Sequence, residues 1–507
     1  MSQGVTRIVR AFITVVTAVS LLCFAAACTS KSSSEPSASA SATATTNGKV
    51  AMFLPSNSVN LSSNVPLNTW DDLSDALTDS LKNNGIDDDD IQRTTSSDLD
   101  KQSDAISSYV SKRTADTSAE LSATQKAENS ATTLIVAPAV SLDKTYGEYS
   151  HFITVSSQES SKQDSSSTKD VESTAIQTIA SALNDAKKAG IHVIIIANPI
   201  DGFVPDVFVP LVTAEDIGRM QAQQVASKLD LDSATSTNPK AIEVLMPVAD
   251  SKSDDTTFQE EAFKGIWDVL GPYFRQRKAY SPSQKLSSFT TDADYAAVTF
   301  EATKESQAET EVKNRLKKTE DSSSAVRIDG IISMNDFVAS GAIKALKSMG
   351  YTGSSIDVNP SITIFDVVGN IAGRKALTKQ RVPDPAKTSD SDDADEQGES
   401  QETQAKSTQW PIITGFGAYV TDVPNIVDGL QWMTGLVDIR TNAQSIAQLC
   451  QVLNNKGKLS SVKEVKTTEE YGSKVPTLHL TLLAVSAANL KAALIDPGYI
   501  SLADANM

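Results

Sequence analysis

Residues 331–346 read Ile331-Ile332-Ser333-Met334-Asn335-Asp336-Phe337-Val338-Ala339-Ser340-Gly341-Ala342-Ile343-Lys344-Ala345-Leu346, and this stretch decides the fold. The short apolar run from Gly330 to Met334 has the length and composition of a buried strand. Small and apolar residues at helical spacing follow over 339–349. Gly350 comes directly after, and beside Lys344 and Lys347 it suits a left-handed C-terminal cap at the negative end of the helix dipole. A buried strand passing so quickly into a helix is the repeating unit of a parallel α/β sheet.

The same rhythm continues in both directions. Strand-like runs at 49–54, 133–139, 191–198 and 241–247 alternate with helical patterns at 70–83, 176–189, 214–229 and 258–270. The expected fold is therefore α/β, with two doubly wound parallel-sheet lobes joined by crossover segments that act as a hinge. In such sheets ligands lie beyond the carboxyl ends of the strands. The segments to watch are Pro55-Ser56-Asn57, Asn198-Pro199-Ile200-Asp201, Val248-Ala249-Asp250 and Asn335-Asp336.

The chain begins with a different kind of signal. Arg7 and Arg10 precede an apolar run from Ala11 to Ala27, and Ala25-Ala26-Ala27-Cys28 has the form of a lipobox. Residues 1–27 are read as a signal peptide, Cys28 as the lipidated residue, and 28–48 as a Ser/Ala-rich polar tether. Processing would remove Cys23 and modify Cys28, leaving Cys450 as the one thiol, so no intramolecular disulfide is expected. Net charge of −18 and a pI near 4.7 argue against a nucleic-acid partner, since phosphates demand a basic face.

The quoted stretch resembles the type I sugar-binding proteins of ABC importers, in the branch of the xylose-, ribose- and galactose-binding proteins. There an Asn-Asp pair at a strand end faces the ligand cleft before an "Ala-Ile-x-Ala-Leu" helix, and Asn335 and Asp336 match the pair. Gly429-Leu430-Gln431-Trp432-Met433-Thr434 is similar to the segment leading into a crossover between lobes. The tail from Lys474 to Gly498-Tyr499 is similar to the C-terminal strand and ending of the xylose-binding branch. Asn198-Pro199 stands where the family usually has Asp-Arg, and Gly415-Phe416-Gly417 resembles its Gly-x-Asp loop without the acid.

The resemblance implies an N-terminal lobe at 49–200 with 434–458 returning to it, and a C-terminal lobe at 201–433 with 476–507 returning to it. An acidic insert at 383–408 is expected to stay disordered, because its charge run cannot offset the entropy of ordering. The implied function is a membrane-anchored extracytoplasmic lipoprotein that captures a small polar solute, a sugar, for the permease subunits of an ABC importer. The alternative is a degenerate solute-binding fold acting as a surface sensor or envelope scaffold without transport.

A sugar site needs bidentate polar groups and an aromatic face in a preformed cleft. Asn335, Asp336, Asn198, Asp201, Asp250 and Ser56 are the candidate polar contacts, and Trp70 the candidate aromatic one. Asn335 and Asp336 also suit an N-cap of the helix starting near Val338. The tetrad Asp87-Asp88-Asp89-Asp90 lacks the glycine and distant glutamate of a calcium loop and reads as a solvated turn before a strand. No metal and no cofactor are expected. The only histidines, His151, His192 and His479, are scattered, and neither a zinc helix, a nucleophile elbow nor a P-loop occurs, so binding rather than catalysis is expected.

Overall fold

The computed structural model describes residues 48–57, 64–114, 121–140, 144–154, 167–250, 256–317, 325–355, 409–470 and 472–507. Cys28, the signal peptide, nearly all of the tether and the acidic insert lie outside the described residues. The described residues all belong to the unit Thr46–Met507.

The first half contains β1 (Lys49–Pro55), α1 (Trp70–Asn83), β2 (Ile91–Ser96), α2 (Leu99–Thr114), α3 (Ala123–Asn129), β3 (Thr132–Val136), α4 (Lys144–Gly147), α5 (Ser167–Lys188), β4 (His192–Ile196) and β5 (Val207–Val209). The second half follows with α6 (Ala214–Lys228), β6 (Lys240–Val244), β7 (Met246–Val248), α7 (Thr257–Arg275), β8 (Ala279–Tyr280), β9 (Thr299–Glu301) and α8 (Glu305–Arg315). It continues through β10 (Gly330–Ile332), α9 (Asp336–Ser348), β11 (Ile412–Phe416), α10 (Val423–Val427) and β12 (Met433–Leu436). The chain then returns for α11 (Ile439–Asn454), β13 (Val465–Glu470) and β14 (Ser473–Leu478), and ends with β15 (Leu483–Ser486) beside β12.

Strand order is β13-β14-β5-β4-β3-β1-β2 in one sheet and β15-β12-β11-β10-β6-β8 in the other. The five strands β2-β1-β3-β4-β5 of one sheet and β8-β6-β10-β11-β12 of the other are parallel, each block starting at a sheet edge and following the doubly wound order 2-1-3-4-5. The switch point therefore lies between β1 and β3 in one half and between β6 and β10 in the other. Both expected sheets are present, each a doubly wound, mostly parallel α/β sheet.

Burial on both faces explains why inner strands such as β1, β4, β10 and β11 are largely apolar runs rather than alternating ones. Val50, Met52 and Leu54 of β1 pack on the side of Leu73, Leu77, Ile446 and Leu449, whereas Ala51 and Phe53 pack with Ile106, Ile179 and Leu183. Helix starts are set locally. Thr69 with Asp72 and Thr213 with Asp216 form reciprocal capping boxes at α1 and α6. Gly218 and Gly265 let α6 and α7 cross closely: a Cβ on Gly265 would lie 2.1 Å from the Glu215 carbonyl oxygen.

The chain passes between the sheets at 210–213, 437–438 and 479–482. Each passage falls slightly later than the expected boundaries at 200/201, 433/434 and 476. The reason is that β5 and β12 are short fully buried segments and β14, Ser473–Leu478, is half polar, so none of the three has a pattern that declares which sheet it joins. The passages are tied to their surroundings. His479 Nε2 lies 3.1 Å from the Asp216 carboxylate, and Asn68 Nδ2 donates to the Val437 carbonyl at 2.6 Å.

Candidate functional site

The strand ends of both sheets carry backbone strain. Ala197 after β4, Met334 after β10 and Ala418 after β11 have φ of +61°, +62° and +52°, a region that non-glycine residues rarely enter. Such strain persists only where the surroundings over-determine it, and it collects at binding and switching sites.

Asp336 begins α9 and is 1% exposed. Its carboxylate accepts from Gln431 Nε2 at 2.8 Å, Thr434 Oγ at 2.7 Å and the Tyr419 backbone N–H at 3.2 Å. It is thus bonded to the ends of β11 and β12. Burial pushes its pKa up to about 6, against the opposing pull of these donors. Gly415 makes the room: a Cβ there would lie 2.2 Å from Asp336 Oδ1. Asp422 accepts from Ser340 Oγ at 2.6 Å, and burial, with Asp336 nearby, pushes it up to about 7.

Asn335 is the N-cap of α9, its Oδ1 accepting from the Val338 N–H at 3.1 Å. Its Nδ2 is buried with no hydrogen-bond partner, and so is the Tyr149 hydroxyl. The amide lies near enough to Tyr149 to favour its phenolate, although burial dominates and holds the phenol well above its usual range. The two groups come from opposite halves, one after β10 and one on the connection after β3. Gln431 Oε1 and Ser333 Oγ at the same strand ends are likewise buried and unsatisfied.

Tyr149 lies on the connection after β3, at the first sheet's switch point. Its ring packs against Phe258 at the start of α7 with centroids 4.4 Å apart, and Tyr146 meets the same ring edge-on at 5.5 Å. Tyr419 donates its hydroxyl to the Glu148 carbonyl. Three residues further on, Phe152 meets Trp70 in a T-shaped contact at 4.8 Å. Asn198 Nδ2 donates to the Ile153 carbonyl at 3.1 Å. Thr154 bonds the Ala197 carbonyl through its hydroxyl at 2.6 Å and the Val212 carbonyl through its N–H at 2.9 Å.

Three of the seven candidate residues, Trp70, Asn198 and Asn335, are therefore gathered around the single segment 146–154. Asp336 adjoins them but turns to its own strand ends. Ser56 is half-buried after β1, its N–H bonded to the Ser96 carbonyl, while Asp201 and Asp250 are exposed. Tyr149, Tyr419 and Phe258 were not among the candidates. The available signal was the row Tyr146, Tyr149 and Phe152, spaced three apart just before the Ser-rich stretch. Cys450 is buried in α11, and burial holds its thiol far above the usual range. Among the described residues no group of three or more His, Cys, Asp or Glu is set to hold a metal ion, and no helix is long and apolar enough to cross a membrane.

Residues 171–377, less than half of the chain, match the family model of the periplasmic binding protein domain. Over those residues the match agrees with the resemblance to periplasmic binding proteins. No curated protein matches the chain. Among solved structures it is similar to an ABC transporter solute-binding protein from Clostridium phytofermentans with bound β-D-glucose, at 17% identity and TM-score 0.45, covering 90% of this chain and 99% of that one. A carbohydrate transporter solute-binding protein from Chloroflexus aurantiacus in complex with D-glucose gives 17% identity and TM-score 0.44, covering 90% and 97%. One from Actinobacillus succinogenes with bound D-allose gives 12% and 0.39, covering 88% and 99%. At such scores these likenesses carry nothing about the ligand of this chain.

Proposed function

We propose that this protein is an extracytoplasmic solute-binding lipoprotein, anchored through Cys28, that captures a small polar solute, a carbohydrate, between its halves for the permease subunits of an ABC importer. The observation that carries this reading is the meeting of the two switch points, with Asn335 after β10 facing Tyr149 on the connection after β3. Ligands of doubly wound sheets lie at such places. Asn335, Asn198 and Trp70 are assigned to the solute. Asp336 holds the strand ends that present Asn335, and Ser56, Asp201 and Asp250 are assigned to the rim. Three passages between the halves allow hinge closure around the solute.

A thermal-shift screen of the full chain against pentoses, hexoses, inositols, short oligosaccharides and nucleosides tests this. A ligand at a hundred times its dissociation constant adds about 2.7 kcal/mol to stability. A sugar that raises the melting temperature, with the rise lost in Asn335→Ala, supports the reading, and silence across the panel sinks it. The anchor is tested separately by fatty-acid labelling, expected in the parent and absent in Cys28→Ala.

A second reading, a surface sensor or envelope scaffold without transport, is favoured by the aromatic rings that fill the space between the halves. Silence across the panel would move the weight to it.

A further inference from the structure

The loop from β10 to α9 spans only residues 333–335, whereas between β3 and α5 the described residues 137–140 and 144–154 alone number fifteen. Strand-to-helix loops usually take about 2–6 residues, and much longer ones tend to carry function. This one lays Tyr146, Tyr149 and Phe152 across the front of the first sheet. One apolar cluster consequently runs from α1 and α11 through these rings to Phe258 and the α6–α7 face of the second half. The segment is held at one end by Asn198, Ala197 and Val212, and at the other by the Tyr419 hydroxyl on the Glu148 carbonyl.

The Tyr149 ring has two attributes of a pyranose: a flat apolar face and a hydroxyl at its edge. Its face is covered by Phe258, but its hydroxyl and the opposing Asn335 Nδ2 are both left unpaired. Burying unpaired polar groups is costly. A solute hydroxyl placed to accept from Asn335 would remove that cost.

We propose that residues 146–154 form a strap that acts as an internal ligand, with Tyr149 occupying the solute position and clasping the halves together until a solute displaces it. The displacement step rests on the solute-binding reading; the clasp does not. A cleft that must first expel its own side chain binds with an apparent affinity reduced by the fraction of open molecules.

The test compares the full chain with Tyr149→Ala by hydrogen-exchange mass spectrometry and by titration with D-glucose, D-allose, D-ribose and myo-inositol. Faster exchange at 417–419 in Tyr149→Ala, with a sugar affinity about tenfold tighter than the parent's, is the expected result. Unchanged exchange at 417–419 overturns the strap, as does equal or weaker sugar affinity in the variant. If neither protein binds any sugar, the solute-binding reading fails and exchange alone decides the clasp. Tyr419→Phe, which loses only the bond to the Glu148 carbonyl, covers the case in which Tyr149→Ala does not fold. It should speed exchange at 146–154, and no change there would sink the clasp.

Discussion

The two halves repeat one strand order and finish their third strands in opposite ways. After β10 the chain turns at once into α9, with Asn335 capping the helix and Asp336 taking donors from β12 and from the loop between β11 and β12. After β3 it runs out into an aromatic strap whose partners, Phe258 and Tyr419, belong to the other half. The same topological position is thus closed by its own sheet in one half and by the neighbouring half in the other. Local hydrogen bonds specify the first, and complementarity across the interface specifies the second.

The largest effect that would break this contrast is at Asp336. Replacing it with alanine strands three buried donors, and urea unfolding should show a loss of about 2–4 kcal/mol. A loss below about 0.5 kcal/mol would mean that the carboxylate is not fastening the second sheet.

The pH dependence sharpens the same point. Asp336 and Asp422 have folded pKa values of about 6 and about 7, above those of the unfolded chain. Their contribution to stability is therefore complete below the unfolded value of about 4 and is lost as pH rises through 6 to 7. The melting temperature should fall between about pH 4 and pH 7, and Asp422→Asn should flatten the fall. A rising parent profile, unchanged in the variant, would contradict the assignment.

Asn335→Ala removes a helix cap and should cost about 1 kcal/mol, read by thermal unfolding. A cost several times larger would mean that its Nδ2 is bonded in the folded state. The smallest effect is expected across the interface. Tyr149→Phe deletes an unsatisfied hydroxyl and keeps the ring, so stability should be unchanged or higher by up to about 1 kcal/mol. A clear loss would mean that the hydroxyl has a partner.

Much of the architecture was legible before any coordinates. The helical pattern at 70–83 is α1 with the same ends, and 214–229 is α6 to within a residue. Gly350, at φ +85°, ends α9 as its neighbours suggested. These features depend on periodicity and capping, which are properties of neighbouring residues. The boundaries that assign β5, β12 and β14 to a sheet lie three to nine residues further along than expected, because a short strand's local pattern does not say which of two sheets it joins. Asn335 and Asp336 were visible as a pair, but their division of labour was not. Gly415, Gln431 and Thr434, which claim Asp336, lie about 80–100 residues away in the chain.

What the sequence determined by itself is what short-range physics controls: strands buried on both faces, amphipathic helices, their caps, and the parallel α/β class that follows from their alternation. Only the tertiary structure decided which strand joins which sheet, that the carboxylate of Asp336 is spent on its own half, and that Tyr149 fills the space between the halves. Those outcomes depend on groups far apart in the chain competing for the same buried volume and the same hydrogen bonds, and no local pattern records who wins that competition.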